Sequence, residues 1–225
     1  MMSKPEHYRE DCNRIACIYD PFVRFISSFF GGEQNLRMFV IDKMDLKQGQ
    51  KVLDVCCGTG TLCTMIAEMI GDTGEVVGID LSENMLKKVE KKKKYNMRFH
   101  LSNAEEIPYD DGYFDRACIT FGLHEMPHQV RMNVLHEISR VLNADGKIVV
   151  LDYSYPKHTL VRLLFNIWML VEGKTARDFI GRDLSSMIRD AGFNVTGRSI
   201  HWIGVIQIVS GENVETYKKG SGAEQ

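Results

Sequence analysis

The sequence predicts an α/β protein with a seven-stranded, mostly parallel sheet, helices on both faces and an antiparallel hairpin at its end. Three observations favour this fold class. Short β-branched runs alternate with helical apolar patterns along most of the 225 residues. A glycine-rich loop follows the first of these runs. Only a few residues separate the last two runs, which is too little chain for a crossover helix.

Five apolar segments have the length and composition of buried strands. They are Lys51–Val55, Glu75–Asp80, Met97–Leu101, Asp115–Thr120 and Lys147–Tyr153. The segments between them are long enough for helical crossovers, which parallel strands require. We therefore predict that all five strands run in the same direction.

Helical signals fill several of the connections. Apolar residues recur at helical spacing over 62–70 and again over 130–142, where the polar residues 143–146 predict a closing turn. Asp183 has the position of a helix N-cap, and Gly192 ends that helix. Each of these helices has one apolar face to pack against the sheet.

The last two strands are predicted near Val195–Ile200 and His201–Val209. Their short separation requires a hairpin, so the pair is antiparallel. Residues 211–225 are polar and contain glycines, and we predict a loose tail there.

The chain divides into a core domain with two apolar additions. Residues 45–210 form the predicted domain, residues 1–44 a helical N-terminal lid, and residues 157–181 a second lid inserted late in the domain. Both lids flank the carboxyl ends of the strands, where ligands bind in open α/β sheets. Their aromatic and aliphatic side chains predict an apolar substrate pocket.

Composition excludes several classes of function. A net charge of −2 gives no overall attraction to phosphates, so we expect no nucleic-acid partner. Charged residues make up 26% of the chain and apolar residues 44%, which is ordinary for a soluble protein. The longest apolar stretch, Leu160–Val171, is interrupted and too short to span a bilayer. A cytoplasmic protein with at most peripheral membrane contact is expected.

The six cysteines form no Cys-x-x-Cys pair and follow no signal peptide, so we expect them to be reduced. No set of ligands has the spacing of a metal site, and none is predicted.

The most informative stretch is Val52–Thr61, an apolar strand followed by a tight glycine loop. Gly58 and Gly60 allow the backbone to approach a nucleotide-like ligand closely. Asp80 follows twenty residues after Gly60, at the end of the next predicted strand. A carboxylate there is placed to bind ribose hydroxyls.

Two residues discriminate between nucleotides. Dinucleotide folds carry a third glycine for close helix packing, and here Cys63 stands at that position. Asp54, four residues before Gly58, would repel a pyrophosphate but suits a ligand with an ammonium and a sulfonium. S-adenosylmethionine has a ribose, carries both cations and lacks phosphate, so it is the predicted cofactor.

At this point the chain resembles a family, the class I S-adenosylmethionine-dependent methyltransferases. It is most similar to the ubiquinone/menaquinone biosynthesis C-methyltransferases. The resemblance rests on the glycine loop with its strand and on three later stretches. These are Asn103–Pro108 with Phe114-Asp115, then Ile119–Leu123, and finally Arg140–Pro156. It implies a Rossmann-like class I methyltransferase fold.

The resemblance also implies a binding role for ten positions. The methionine portion would lie on Gly58, Thr59 and Gly60, with Asp54 orienting it. Asp80 would hold the ribose. The remaining contacts would lie around the adenine or, for the last, beside the sulfonium, and they are Leu81, Met85, Asn103, Ala104 and Thr120.

The sequence indicates the catalytic residues less clearly than the cofactor-binding residues. His124 follows the fourth strand and is predicted as the base that removes a hydroxyl proton from the acceptor. Tyr19 in the N-terminal lid is the second candidate. The quinone family usually presents Arg-Asn where this chain has His124-Glu125. The late lid is also shorter than in family members and lacks their Tyr-x-Tyr-Leu…Ser-Ile pattern.

The predicted activity is methyl transfer to an apolar small molecule, with C-methylation of a quinone-like ring as the first interpretation. Methylation of nitrogen or oxygen on another hydrophobic or lipid-like acceptor stays open. A nicotinamide-dependent reductase and a non-catalytic S-adenosylmethionine-binding protein are rival classes, and Asp54 and Cys63 count against the reductase. The expected partner is a small hydrophobic substrate, and a homodimer stays open.

Overall fold

Seven strands form one sheet with the order β3-β2-β1-β4-β5-β7-β6. This computed structural model describes residues 33–89 and 94–214. Strands β1 to β5 are parallel neighbours, and β7 lies antiparallel between β5 and β6. The strands are β1 Lys51–Val55, β2 Glu75–Asp80, β3 Met97–Leu101, β4 Phe114–Thr120, β5 Leu142–Tyr153, β6 Phe193–His201 and β7 Ile206–Asn213. The predicted fold class is confirmed.

Seven α-helices flank the sheet in the described part of the chain. They are α1 Glu33–Met44, α2 Thr61–Ile70, α3 Glu83–Val89, α4 His128–Val141, α5 Thr159–Glu172, α6 Lys174–Ile180 and α7 Leu184–Asp190. The predicted cap of α7 is confirmed, since the Asp183 carboxylate accepts a hydrogen bond from the Ser186 amide. Two 3₁₀ turns, Leu123–Glu125 and Trp202–Gly204, complete the structure.

The central strands are apolar because both of their faces are covered. In β1, Val52 packs with α1 and α2 on one face, while Leu53 packs with α4 and α7 on the other. The neighbouring strands alternate in the same way. A parallel sheet buried on both sides needs such continuous apolar runs, which made these strands easy to predict.

Two predicted boundaries are wrong. Residues 143–146, predicted as a turn, belong to β5 and form an irregularity in its pairing, where Leu142 faces Phe114 and Lys147 faces Arg116. The hairpin turns at Trp202–Gly204, and β7 continues to Asn213. Residues 211–213, which we assigned to the tail, are therefore part of the sheet. Their pairing with Lys147 and Ile148 of β5 and with β6 holds them there.

Candidate functional site

The site lies where the strand order reverses, between β1 and β4. Open α/β sheets bind ligands at this point, beyond the carboxyl ends of the strands. The loops that follow the two strands approach closely, since a Cβ added at Gly122 would lie 2.9 Å from the Cys56 sulfur. Cys56 (φ 57°) and Phe121 (φ 54°) both have left-handed backbones at these strand ends. Such strain is costly for residues with a side chain and concentrates at functional sites.

The glycine loop has the geometry that its residues predict. Gly58 (φ 54°) and Gly60 (φ 68°) both occupy the left-handed region. A Cβ at Gly60 would lie 2.8 Å from Val89, so this glycine lets α3 pack against the loop. A Cβ at Gly58 would meet nothing within 4 Å. Gly58 therefore borders open space in which a ligand can approach the backbone.

Asp80 links the glycine loop to the end of β2. Its carboxylate accepts 2.8 Å hydrogen bonds from the amides of Gly58 and Ser82, one on each oxygen. Burial raises the pKa of Asp80, and these amides counteract the rise. Each carboxylate oxygen keeps a second lone pair, so the group can still accept from the two hydroxyls of a ribose.

Four of the predicted cofactor residues line a single cavity of about 120 Å³. Asp80 and Leu81 follow β2, and Asn103 and Ala104 follow β3. Most of the other lining side chains are apolar, among them Ile79, Met126, Val130 and Val134. A mostly apolar slot with a carboxylate at one end suits an adenosine group.

A larger and more open groove of about 740 Å³ lies on the other side of Asn103. Its walls include Glu137 and Arg140, whose side chains bond to each other. Asn103 is its one lining residue with a predicted role. The smaller cavity, which adjoins the strand ends, is the better candidate site.

Asp54 lies apart from the cavity. Its carboxylate is 1% exposed and accepts from the thiols of Cys63, at 3.0 Å, and Cys118, at 3.5 Å. Burial raises the pKa of Asp54 to about 6, although the thiols oppose the rise. Its hydrogen bonds connect β1 to α2 and β4, and it does not line the cavity.

The remaining predicted cofactor residues lie near the cavity without lining it. Thr59 is buried in the glycine loop, with its hydroxyl 3.5 Å from that of Thr61. Met85 is buried in α3, behind the loop. Thr120 ends β4 and pairs with Leu151 of β5, so it lies at the edge where the strands meet the site. Their contacts with a cofactor stay predictions.

His124 is buried and lies against a carboxylate. Its Nδ1 lies 2.7 Å from an oxygen of Asp152, its backbone amide donates to the other oxygen, and its Nε2 lies 3.7 Å from Glu172. Burial alone would lower the pKa of His124, but Asp152, with Glu125 and Glu172, raises it to about 9. A raised pKa favours the protonated imidazole, which cannot accept a proton, so it counts against His124 as the general base. The catalytic role of His124 stays a prediction.

Aromatic rings surround His124 under the second lid. The Tyr153 ring lies 4.6 Å from the imidazole and also contacts Phe121 and Phe165. The Trp168 indole donates to the Tyr153 hydroxyl at 3.3 Å, and that hydroxyl donates to Glu172 at 3.0 Å. Burial, with Glu172 nearby, raises the pKa of Tyr153 well above its usual value. These four residues, Tyr153, Phe121, Phe165 and Trp168, are called here the aromatic cluster, and their contacts connect the turn that carries His124 to the second lid.

Arg131 anchors the lid to the turn that carries His124. The side chain of Arg131 is fully buried and donates to the carbonyls of Leu123, at 2.8 Å, and Thr175, at 2.6 Å. It also pairs with Asp178 of α6 at 2.7 Å. One guanidinium therefore joins α4, the 3₁₀ turn and α6 through donors in a fixed planar geometry.

Sequence reasoning missed Asp152, Glu172 and Arg131. Asp152 lay inside a stretch that carried the family resemblance, but its partner is 28 residues away. A charged residue in an apolar lid, such as Glu172, and an arginine within a helical apolar pattern were available signals. Only the tertiary structure shows what these three residues contact.

The remaining predictions concern Tyr19 with the N-terminal lid, a metal site and a membrane span. Tyr19 and the first 32 residues of the predicted N-terminal lid lie outside the described part of the chain. Within residues 33–89 and 94–214, no group of three or more histidine, cysteine or acidic side chains could hold a metal ion. None of the helices in these ranges is both long and apolar enough to cross a bilayer.

Solved structures share this architecture. An S-adenosylmethionine-dependent methyltransferase from Aquifex aeolicus matches 78% of the chain, and 88% of its own, with a TM-score of 0.61 and 22% identity. Geranyl diphosphate C-methyltransferase from Streptomyces coelicolor, solved with S-adenosyl-L-homocysteine, matches 84% of the chain and 83% of its own (TM-score 0.65, 13% identity). The fold is that of the α/β methyltransferases.

Proteins of similar sequence identify the family within this fold. The chain belongs to the ubiE/COQ5 methyltransferase family, which matches residues 1–212, and it is an S-adenosylmethionine-dependent methyltransferase. A demethylmenaquinone methyltransferase from Geobacillus sp. is 36% identical over 214 residues, covering 85% of this chain and 90% of the relative. One from Listeria welshimeri is 35% identical over 215 residues, covering 85% and 89%.

Proposed function

We propose that the chain methylates a ring carbon of a demethylmenaquinone-type quinol, with S-adenosylmethionine as the methyl donor. The observation that carries the proposal is the aromatic cluster around the buried His124–Asp152 pair, next to the turn that borders the adenosine-type cavity. The relatives named for demethylmenaquinone methylation support the choice of acceptor. The aromatic cluster suits a flat, apolar ring, because aromatic pairs favour stacked and edge-to-face contacts.

The residues present fit S-adenosylmethionine. Asp80 would hold the ribose hydroxyls, Leu81 and Ala104 would enclose the adenine, and the open side of Gly58 would face the amino-acid end. Bound there, S-adenosylmethionine supplies a methyl carbon that its sulfonium activates. The protein then contributes alignment and exclusion of water, which together can be worth about 7–11 kcal/mol.

His124 would act as an electrostatic stabiliser of the acceptor. A quinol carbon becomes nucleophilic when a ring hydroxyl loses its proton, and a nearby cation favours the resulting oxyanion. Protonated His124 places a positive charge at the position where the quinone family usually carries arginine. The pair with Asp152 fixes the ring orientation and leaves Nε2 directed toward the lid side.

Glu172 is the proposed proton acceptor. One of its oxygens accepts from the Tyr153 hydroxyl, and the other lies 3.7 Å from His124 Nε2, beyond hydrogen-bond distance. The second oxygen is therefore available to a hydroxyl of the acceptor ring. Glu172 lies at the end of α5, so its carboxylate belongs to the site only when this helix covers it.

The test uses a short-chain demethylmenaquinol and methyl-labelled S-adenosylmethionine, with the product analysed by mass spectrometry. We expect the label on a ring carbon. Label on an oxygen, or transfer only to amines and other acceptors, would replace the C-methylation proposal with the alternative of N- or O-methylation.

Substitutions at His124 test the electrostatic role. His124→Gln should lower kcat about 100-fold with little change in the KM for S-adenosylmethionine, while His124→Arg should retain much of the activity. The matched control is His136→Gln, since His136 is exposed on α4. Equal losses in the Gln and Arg variants would contradict a role for the charge.

A further inference from the structure

Helix α5 carries its most apolar face toward solvent. Six aliphatic side chains recur along it at helical spacing and occupy an arc of roughly 120°. This apolar stripe consists of Leu160, Leu163, Leu164, Ile167, Leu170 and Val171, each 56% to 76% exposed. Single exposed leucines are common on proteins, but six on one helix face mark an interaction surface.

The opposite face of α5 belongs to the site. Phe165 and Met169 are buried against Ala176, and Trp168 and Glu172 bond to Tyr153. The helix is therefore held by its inner face, and the apolar stripe is not needed for packing in the described structure. The same helix therefore contacts the aromatic cluster with one face and exposes the stripe on the other.

Cations flank the apolar stripe. Lys157 and Arg162 lie at its start and Lys174 and Arg177 just beyond its end, and all four are exposed. None of them forms an ion pair among residues 33–89 and 94–214.

The acidic side chains near the stripe already have partners. Glu172 accepts from Tyr153, while Asp178 pairs with Arg131 and Arg182. The two ends of the stripe are therefore positively charged.

We propose that the apolar stripe of α5 docks on an anionic lipid bilayer. An amphipathic helix with aliphatic side chains on one face and basic residues beside them lies in the plane of such an interface. A second copy of the chain fits less well, because pairing two stripes in either direction would bring the cationic ends of one copy against those of the other.

The proposal rests on the proposed function, since it explains how an acceptor with a long apolar tail would reach the pocket. A bilayer-docked α5 places the aromatic cluster, on the other side of the same helix, beside the lipid in which such a tail dissolves. The acceptor would then enter the pocket at the edge of the lid without crossing water.

The test is flotation of the full-length protein with vesicles of phosphatidylcholine alone or mixed with phosphatidylglycerol. We expect binding to the anionic vesicles, weakened by salt and by the absence of phosphatidylglycerol. The double variant L163Q/I167Q and the double variant R162E/K174E should each reduce the bound fraction about tenfold. Matched controls are M69Q/L101Q, which alters two exposed apolar residues elsewhere, and R189E on α7.

Two results would overturn the proposal. One is a lack of flotation by the wild type, or flotation that the stripe variants leave unchanged. The other is a dimer, measured by light scattering, that L163Q/I167Q dissociates, which would assign the stripe to a second copy. Methyl transfer to the short-chain quinol in vesicle-free buffer is measured in parallel. It should be unchanged in the stripe variants, and its absence in the wild type would refute the proposed function and not the docking.

Discussion

At the scale of single residues, Asp80 combines a structural and a binding role. Its two oxygens fix the glycine loop and the start of α3 through the amides of Gly58 and Ser82. The same residue borders the cavity. A residue that shapes the loop through backbone amides can therefore bind a ribose without moving.

Asp80→Asn should weaken S-adenosylmethionine binding about 10- to 100-fold while the fold persists. The amide keeps the size of the carboxylate but loses its charge and one acceptor oxygen, and hydrogen bonds to charged groups are worth about 1.5–3 kcal/mol. Calorimetric titration measures the change, and circular dichroism checks the fold. Asp110→Asn, at an exposed position, is the control. An unchanged dissociation constant would remove Asp80 from the cofactor site.

His124 makes the stability of the protein depend on pH. The pKa of His124 is about 9 in the folded state and near 6.5 in an unfolded chain. The protonated ion pair therefore stabilises the fold fully below pH 6.5, and this contribution is lost as the pH rises through 9. The difference between the two pKa values corresponds to on the order of 3 kcal/mol.

His124→Gln should abolish that pH dependence. Urea unfolding of the wild type and the variant at a series of pH values should show a wild-type advantage that shrinks between pH 6.5 and about 9. His136→Gln should follow the wild-type curve. A constant difference across the series would mean that folding does not raise the pKa of His124.

At the scale of elements, the position of the lid depends on buried polar contacts as well as apolar packing. Helix α6 contributes Ala176 and Phe179 to the interior, and Arg131 of α4 bonds to the carbonyl of Thr175 and to Asp178 in the same helix. The guanidinium also lies 5.2 Å from the Phe179 ring. The ion pair with Asp178, the hydrogen bond to Thr175 and the contact with the Phe179 ring together hold α6 over the turn that carries His124.

Arg131→Met should destabilise the protein by about 2–4 kcal/mol. The thioether fills much of the space, but it leaves the carbonyls of Leu123 and Thr175 without donors in a buried region. Urea unfolding gives the loss, and faster amide exchange in α6 would locate it. Arg189→Met, on the exposed side of α7, should change stability by no more than about 0.5 kcal/mol. Equal effects of the two substitutions would contradict the anchoring role.

At the scale of the whole molecule, the site is a product of strand order. The reversal between β1 and β4 opens a crevice, and the cavity forms where the loops after β1, β2, β3 and β4 converge. A ligand there would contact residues that are up to 78 positions apart, from Cys56 to Val134. Binding should therefore stabilise the entire domain.

A ligand present at 100 times its dissociation constant should raise the free energy of unfolding by about 2.7 kcal/mol. For a domain of this size that corresponds to a rise in Tm of roughly 5–11 °C. We expect this rise with S-adenosylhomocysteine and none with a nicotinamide dinucleotide. Differential scanning fluorimetry measures both, and Asp80→Asn is the control. The reverse preference would support the reductase and exclude methyl transfer.

The sequence by itself determined the sheet and its ligand loop. Strands buried on both faces must be apolar, so β1 to β5 were predictable, and Gly58, Gly60 and Asp80 marked the loop because few residue types fit those positions. Boundaries failed where pairing partners decide them, as at residues 143–146 and at the end of β7.

Only the tertiary structure decided the chemistry of the acceptor side. A histidine near pKa 6.5 is a reasonable base in a sequence, but Asp152 and Glu172, distant in the chain, raise the pKa of His124 and favour its protonated form. In the same way, an apolar helix in a sequence suggests a core element. The fold buries one face of α5 against the site and leaves the other exposed. Both outcomes depend on which partners surround a side chain, and local sequence does not contain that information.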